Sequence, residues 1–340
     1  MTLKHWSPVA LVSIALAAST PVKAADFYEG KTINMIVGSD VGGGFDIFAR
    51  LFSRHLGRFI PGSPSIVVQN MPGAGSAKAA GYVYSAAAKD GTVIGALNPG
   101  GLLAPLFEGR QMGYEAPKLQ YLASADTTAR VCFTMKNAKV KSFADAQKEE
   151  LVVGAGAVGS SSFDYAYMHK NLNGARFKIV AGYKGMADIL LALERGEVEA
   201  VCGYDWSGLK AAKPNVIRDG GFNFLLQVPV QPVAELDAMG VAKAEAFAAN
   251  ADDKAALDLV AGQQFVGRPY AVAPDVPADR VAILRKAFAD TMKDADFLAE
   301  VERLKLNVTP ADGEDVQKIM AKMYSAPKHI VQRAKDAIRP

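Results

Sequence analysis

Three glycine-rich segments are the parts of this sequence best suited to binding a ligand. They cover residues 42–46 (GGGFD), 73–76 (GAGS) and 154–161 (GAGAVGSS), and each follows a short apolar run and precedes a helical pattern. A helix start exposes unsatisfied N–H groups and about half a positive charge, and glycine lets the backbone approach a ligand closely. We therefore predict an anion cradle of peptide N–H groups that needs no Lys or Arg. The alternative is that these glycines only permit tight turns, but three such loops on one face favour a site.

The segment Gly154–Gly159 also matches the G-x-G-x-x-G pattern of dinucleotide-binding loops, after a strand and before a helix. A dinucleotide site also has an acidic residue about 20 residues further on, at the end of the next strand. The corresponding stretch, Ile179–Tyr183, contains no acid. We therefore expect neither a nucleotide nor any other cofactor.

Residues for covalent or metal chemistry are few. Of the four histidines, His5 lies near the N-terminus, and His55, His169 and His329 lie on predicted helices without zinc-site spacing. The run Ser160–Ser162 lacks the G-x-S-x-G pattern of a hydrolase nucleophile, and helix capping is its simpler role. We expect no metal and no enzyme, and the alternative is an exported hydrolase that uses Ser160 with His169.

Three further side chains, Asp46, Trp206 and Lys184, have two readings each, and Asp205 has one. Asp46 either accepts N–H groups at a helix start and shapes the first glycine loop, or meets an ammonium or hydroxyl of a ligand. Asp205 and Trp206 end a predicted strand, which places Asp205 at the mouth of a cleft, and Trp206 covers a ligand or belongs to the core. Lys184 is the candidate counter-charge, although exposed lysines are more often only solvated.

The elements that must position these residues come in two series. Apolar strands alternate with helical patterns from residue 33 to 97 and again from 131 to 201, whereas residues 277–292 and 314–338 are helical. Continuous apolar strands between helices are typical of parallel sheets covered on both faces. We predict a two-lobed α/β fold, each lobe a mainly parallel sheet flanked by helices. Lobe 1 is residues 25–130 plus 262–340, lobe 2 is 131–261, and crossover strands form the hinge.

Composition and the N-terminus indicate an exported globular protein. The chain has 340 residues, 50% of them hydrophobic and 21% charged, with a net charge of +3. Residues 1–24 read as a signal peptide, with Lys4 before an apolar core and small residues at Val22 and Ala24. The expected location is therefore the periplasm, and the absence of a basic cluster argues against nucleic-acid binding. Cys132 and Cys202 lie in strand-like runs, and in that oxidising compartment they either pair or stay as two buried thiols.

Several motifs together resemble a known family. The stretches 33–50 (INMIVGSDVGGGFDIFAR), 68–76 (VQNMPGAGS), 89–97 (KDGTVIGAL) and 183–200 (YKGMADILLALERGEVEA) are similar to the solute-binding receptors of tripartite tricarboxylate transporters, the Bug family. The resemblance extends over nearly all of the chain after residue 24. It implies a two-lobed receptor with the type II periplasmic binding protein-like fold, which closes on a small organic carboxylate in the periplasm and delivers it to the membrane permease of such a transporter. We expect the receptor to be a monomer.

The resemblance also implies a set of site residues. In the family, main-chain amides and bridging waters of the first glycine loop hold the ligand carboxylate. Carried over, with Asp205 added from its place at the end of a strand, the site comprises Gly42, Gly43, Gly44, Phe45, Asp46, Gly75, Ser76, Gly159, Ser160, Ser161, Tyr183, Gly185 and Asp205.

The first loop departs from the usual family pattern. Asp40-Val41 stands where Pro-Pro is common, and Phe45 replaces a threonine. Because Phe45 exchanges a hydroxyl for an aromatic face, an aromatic or apolar acid becomes a candidate beside the dicarboxylates. A sensor that presents its bound form to a signalling partner would share the same site.

Overall fold

Strands and helices alternate along most of the chain, as the sequence predicts. The computed structural model describes residues 27–340 except positions 110, 128, 230 and 305, so the predicted signal peptide, residues 1–24, lies outside the described residues. No helix in the described part of the chain combines the length and the apolar character that crossing a bilayer requires. The strands are β1 (Thr32–Val37), β2 (Ser65–Asn70), β3 (Val93–Ala96), β4 (Gln120–Ser124), β5 (Arg130–Met135), β6 (Leu151–Gly154), β7 (Phe177–Val180), β8 (Ala200–Asp205), β9 (Phe222–Val228), β10 (Pro269–Val272) and β11 (Ala311–Asp312).

The helices cover the sheets and form most of the C-terminal part of the chain. The helical pattern over 314–338 is two helices, because Pro327 lacks the N–H needed inside a helix and precedes the start of the second one. The α-helices are α1 (Gly44–His55), α2 (Ala77–Gly81), α3 (Pro99–Glu108), α4 (Phe143–Ala146), α5 (Ser161–Asn173), α6 (Met186–Glu194), α7 (Trp206–Ala212), α8 (Pro214–Arg218), α9 (Ala234–Ala238), α10 (Ala251–Phe265), α11 (Ala278–Thr291), α12 (Ala295–Arg303), α13 (Gly313–Tyr324) and α14 (Lys328–Ala337).

The strands form two mixed sheets. Their orders are β11-β4-β10-β3-β1-β2 and β7-β6-β8-β5-β9. Strand β1 is parallel to β2 and β3, and β6 is parallel to β7 and β8. Strands β5 and β10 run antiparallel to both of their neighbours. The two-lobed α/β class is confirmed, but the sheets are less uniformly parallel than predicted, because the strand by which the chain enters each sheet from the other runs against its neighbours.

Aromatic side chains anchor the elements that lead into the interlobe space. Phe52 of α1 is fully buried and packs on Tyr270 of β10, with ring centroids 4.9 Å apart, and on Phe288 of α11 at 5.1 Å. In the second sheet Phe133 packs on Phe222 at 4.8 Å. Burying an aromatic side chain of this size stabilises by about 1.5–3 kcal/mol. The contact between Phe52 and Tyr270 holds the last turns of α1 against β10.

The chain passes between the sheets twice, through segments that lie side by side. The first segment is 125–129, between β4 and β5, and the second ends at 266–268, before β10. The Ala125 N–H donates to the Arg268 carbonyl at 3.1 Å. A Cβ on Gly267 would lie 2.5 Å from the Asp126 carbonyl oxygen, so only glycine lets the two segments approach this closely. Polar side chains on these segments therefore come together between the sheets.

The two cysteines form a disulfide. Cys132 of β5 and Cys202 of β8 lie on neighbouring strands, with Cα atoms 3.9 Å apart and 70 residues between them in sequence. Both residues are buried. Of the two alternatives left open by the sequence, the structure shows the pair rather than free thiols, and the bond ties the strand that enters the second sheet to the middle of that sheet.

Candidate functional site

A cleft of about 430 Å³ lies between the two sheets, at the carboxyl ends of several strands. The starts of α1 and α3 contribute Phe45 and Gly100, and the loop and first turn of α5 contribute Gly159 and Ser161. Asp205, the N-cap of α7, completes this group of helix starts. In open α/β sheets, ligands bind outside the carboxyl ends of the strands, so this position is the one that the fold favours for a ligand.

The crossover segments supply the charged side chains of the cleft. Arg130 and Arg268 line it together with Asp126, and each has an ion-pair partner that is only loosely placed. Arg268 Nε lies 3.7 Å from Asp126 Oδ2, and an Arg130 terminal nitrogen lies 3.6 Å from Asp205 Oδ2. These distances exceed a good N–H···O hydrogen bond, and the buried Nε atoms of both arginines have no hydrogen-bond partner within the described residues. The cleft therefore presents guanidinium donors that an anionic ligand group could use.

Arg268 is held in place by the first glycine loop. Its guanidinium carbon lies 4.3 Å from the ring centroid of Phe48 and 5.1 Å from that of Phe45, both on α1. A Cβ added to Gly44 would lie 3.3 Å from an Arg268 terminal nitrogen. Cation–π contact stabilises by about 0.5–2 kcal/mol and fixes the plane of the guanidinium. Gly44 thus leaves room for an arginine side chain.

Asp46 shapes the first loop from within lobe 1. Its side chain is buried, and Oδ2 accepts hydrogen bonds from the Gly42 N–H at 2.8 Å and from Arg50 Nε at 2.9 Å. Oδ1 accepts from the Asn70 amide at 2.9 Å. Burial raises the pKa of Asp46, but hydrogen bonds from Arg50, Gly42 and Asn70 outweigh it and hold the pKa below its usual value. Of the two readings of Asp46, the structure supports loop shaping, and Asp46 is absent from the described lining of the cleft.

Ser160 and Ser162 organise the second-lobe loop. The Phe163 N–H donates to Ser160 Oγ at 3.3 Å, which makes Ser160 the N-cap of α5. The Gly156 N–H donates to Ser162 Oγ at 2.9 Å. This loop therefore directs the backbone at Gly159 and Ser161 into the cleft, while Ser160 caps the helix behind it.

The other predicted site residues lie apart from the described cleft lining. Gly42 and Gly43 form the turn before α1. Tyr183 packs on the apolar core of the second sheet, and Gly185 precedes α6. Gly75 and the buried Ser76 pack against Gly101 at the start of α3. The structure therefore brings Phe45, Gly159, Ser161 and Asp205 together and leaves the second glycine loop behind α3.

Sequence reasoning missed the residues of the crossovers. Asp126, Arg130, Gln264 and Arg268 line the cleft, although none was predicted as a site residue. The available signal was the sequence Gly267-Arg268-Pro269, where an arginine lies between a helix and an apolar strand. Trp206, left open between core and ligand contact, is buried and donates its indole N–H to Glu235 at 2.8 Å, and Lys184 is exposed.

The hydrolase alternative lacks a placed base. His169 is fully buried, and its Nδ1 lies 2.9 Å from the Asn173 side-chain oxygen. Burial lowers the pKa of His169 to about 4, so the ring stays neutral and enclosed. Ser160 and His169 lie nine positions apart along the start and length of α5, roughly 13 Å in helical rise. Within residues 27–340, apart from the four undescribed positions, no three His, Cys, Asp or Glu side chains converge as a metal site would need.

Two carboxyl groups of the cleft have raised pKa values. Burial, together with the nearby Asp205 carboxylate, raises the pKa of Asp126 to about 6, although Arg268 and Arg130 oppose the shift. Burial raises the pKa of Asp164 to about 6 against a hydrogen bond from the Gly159 N–H. Groups with such shifts concentrate at functional sites, because their environment is arranged for a ligand and not for the free protein.

We expect Asp126→Asn to stabilise the ligand-free protein at pH 7.5 by about 2 kcal/mol, because the ionised form of a carboxyl with a raised pKa is disfavoured in the folded state. The pKa of Asp126 is about 6 in the folded protein and about 3.9 in the unfolded chain. The protonated carboxyl therefore contributes its full stability below about pH 3.9, and this contribution is lost as the pH rises through about 6. The gain from asparagine is therefore largest above pH 6 and disappears toward pH 4. Urea unfolding of both proteins at pH 4, 5.5 and 7.5 measures it, and a pH-independent difference would contradict the assignment.

The comparisons with known proteins agree with the fold. No protein-family model matches the chain. A UPF0065 protein of Bordetella bronchiseptica is 32% identical over 108 residues, and this match spans about a third of each protein, 32% of this chain and 31% of the relative. Among solved structures, a TctC solute-binding protein from Polaromonas has a TM-score of 0.68 at 19% identity and covers 90% of this chain and 99% of its own.

Two further solved structures carry ligands. MatC of Rhodopseudomonas palustris with bound malate has a TM-score of 0.52 at 18% identity and covers 91% of this chain and 99% of its own. A second R. palustris protein, with adipate, has a TM-score of 0.52 at 20% identity and covers 90% of this chain and 97% of its own. The fold is therefore that of the periplasmic solute-binding proteins. Within that class the structural neighbours are TctC-type receptors, and the resemblance drawn from the sequence motifs is confirmed.

Proposed function

We propose that this protein is a periplasmic receptor that captures a small organic carboxylate in the cleft and delivers it to a membrane permease of the tripartite tricarboxylate type. The main support for the proposal is that Arg130 and Arg268 line the same cleft as the starts of α1, α3 and α5. Guanidinium groups and helix N-termini both favour carboxylate oxygens. The malate and adipate in the two R. palustris structures support the same ligand class.

Capture would combine side-chain and backbone donors. The sequence predicted a cradle of peptide N–H groups alone, whereas the cleft also offers two guanidinium groups that are only loosely paired. We propose that residues 25–130 with 262–340 close on residues 131–261, and that the ligand bridges the two lobes. Closure stabilises only through a higher affinity of the closed state for the ligand, so no covalent step is needed.

The ligand class is tested by thermal unfolding of refolded, ligand-free protein. We expect at least one of succinate, malate, adipate, citrate and phenylacetate to raise the midpoint, because a ligand at 100 times its Kd stabilises by about 2.7 kcal/mol. At this chain length that corresponds to a shift of roughly 5 °C. Matched concentrations of sodium chloride control for ionic strength. Hydrolysis of a carboxylic ester by the wild type, lost in Ser160→Ala, together with no shift by any acid, would instead support the hydrolase.

Delivery is tested separately from binding. In cells that lack this receptor, uptake of the acid identified by thermal unfolding should fall, and a plasmid copy of the wild-type gene should restore it. A variant that binds the acid normally in solution but fails to restore uptake would locate the permease contact. Unchanged uptake without the receptor would contradict the delivery step and leave capture intact.

A further inference from the structure

The described lining of the cleft carries more acids than bases. Arg130 and Arg268 contribute two positive charges, whereas Asp126, Asp164 and Asp205 contribute three carboxyl groups. A dicarboxylate would bring two more negative charges into this partly buried space. Like charges in a medium of reduced dielectric repel more strongly than in water, so two arginines do not compensate five carboxylates. The charge balance therefore favours a ligand that also brings a positive group.

Two buried acceptor atoms in the cleft lack hydrogen-bond partners within the described residues. They are Asp126 Oδ1 and Gln264 Oε1. The Gln264 side chain is only 8% exposed, and its amide nitrogen donates to the Tyr165 hydroxyl, which leaves Oε1 as the free end. A buried acceptor without a donor is destabilising, because it has lost its hydrogen bonds to water. Such a cost is explained if a ligand supplies the donor.

The two acceptors lie on neighbouring pieces of the chain, Asp126 between β4 and β5 and Gln264 at the end of α10. A Cβ on Gly267 would lie 2.5 Å from the Asp126 carbonyl oxygen and 3.1 Å from that of Gln264, so the backbones of both residues flank this glycine. Arg268 follows directly, and its Nε also lacks an acceptor. Unused acceptors and unused guanidinium donors therefore line one cleft. An ammonium group next to a carboxylate would satisfy both kinds of atom.

We propose that the cleft selects an amine-bearing carboxylic acid, with the carboxylate on Arg130 and Arg268 and the ammonium on Asp126 Oδ1 and Gln264 Oε1. This inference rests on the proposed capture of a carboxylate and specifies its ligand class. A purely cationic ligand would leave both arginines without a negatively charged partner. A metal ion is not favoured either, because no three ligating side chains cluster among the described residues. Burial and the nearby Asp205 raise the pKa of Asp126, and a cation beside this carboxylate would offset both effects.

The test uses pairs of acids that differ in the amine. Calorimetric titration of refolded protein at pH 7.5 compares L-glutamate with glutarate, 4-aminobutanoate with butanoate, and L-phenylalanine with 3-phenylpropanoate. We expect the amine-bearing member of at least one pair to bind roughly 10- to 100-fold more tightly, the range for hydrogen bonds to a charged group. If the amine-free member binds as tightly in every pair that binds, the inference is wrong while carboxylate capture stands. Binding by neither member of any pair would count against capture itself.

Two substitutions test whether Asp126 and Gln264 accept hydrogen bonds from the ammonium group of the ligand. Asp126→Asn and Gln264→Leu should each remove most of the preference for the amine-bearing acid and change the affinity for its amine-free partner by less than about threefold. Asp219→Asn is the matched control, because Asp219 is 64% exposed and pairs with Arg218 on the surface of the second lobe. The wild-type preference retained in both cleft variants would overturn the assignment. Folding of each variant is verified by its unfolding midpoint without ligand.

Discussion

Replacing Arg268 by methionine is expected to lower the affinity for the captured acid by two to three orders of magnitude. Methionine keeps an unbranched apolar stem that can pack on Phe45 and Phe48, but it removes the guanidinium group that lies over both rings. Removing one partner of a buried charge pair costs about 2–5 kcal/mol, because the other charge is left without compensation. In the ligand complex that other charge is the carboxylate of the acid. The variant should therefore fold and fail to bind.

Calorimetric titration with the acid identified by thermal unfolding measures this loss. Arg218→Met is the matched control, because the Arg218 side chain is 70% exposed and lies outside the described cleft lining. Arg268→Lys should recover only part of the affinity, since an ammonium cannot form the two parallel hydrogen bonds of a guanidinium. An affinity within threefold of the wild type in Arg268→Met would show that Arg268 does not hold the carboxylate.

Removing the Cys132–Cys202 disulfide is expected to destabilise the protein by about 4 kcal/mol. The bond closes a loop of 70 residues, and cross-linking a loop of this length restricts the unfolded chain by about that amount. At this chain length the unfolding midpoint should fall by roughly 8 °C. The double variant Cys132→Ala/Cys202→Ala, compared with the wild type in thermal and urea unfolding, measures the effect.

A reductant provides the control for this prediction. The wild type should lose stability in dithiothreitol, whereas the double variant should unfold at the same midpoint with and without it. The wild type and the double variant should also bind the acid with similar affinity, because neither Cys132 nor Cys202 lines the described cleft. Equal midpoints of the two proteins in the absence of reductant would mean that the bond does not contribute to stability.

The fold was largely predictable because local patterns determine much of it. Apolar runs at residues 33–37 and 66–68 lie in β1 and β2, and the segment from Ser161 to His169 lies in α5. Strand direction was less predictable, since an apolar run does not indicate whether its partner is parallel. Strands β4, β9 and β10 escaped the sequence reading for a related reason. They pair with strands far away in sequence, so no local turn reveals them.

The candidate site was predicted only where it depends on loops. Phe45, Gly159, Ser161 and Asp205 end strands or begin helices, and the rule that ligands bind at those ends places them in the cleft. Asp126 and Arg268 lie 142 positions apart (268 − 126) and meet only because the chain crosses twice between the sheets. No rule based on local sequence spacing relates residues that are this far apart in the chain. Asp46, for which the sequence left loop shaping and ligand contact open, bonds to Gly42, Arg50 and Asn70 and is absent from the described cleft lining.

The space beside Gly44 has a consequence for redesigning receptors of this fold. The Arg268 guanidinium occupies the volume that a side chain at position 44 would need, and it rests on the ring at position 45. A side chain at position 44 would have its Cβ 3.3 Å from the guanidinium, so Arg268 would have to shift by a few tenths of an ångström to admit it. When the first loop is exchanged for one from a related receptor, residue 268, more than two hundred positions away, should therefore be chosen together with residues 44 and 45.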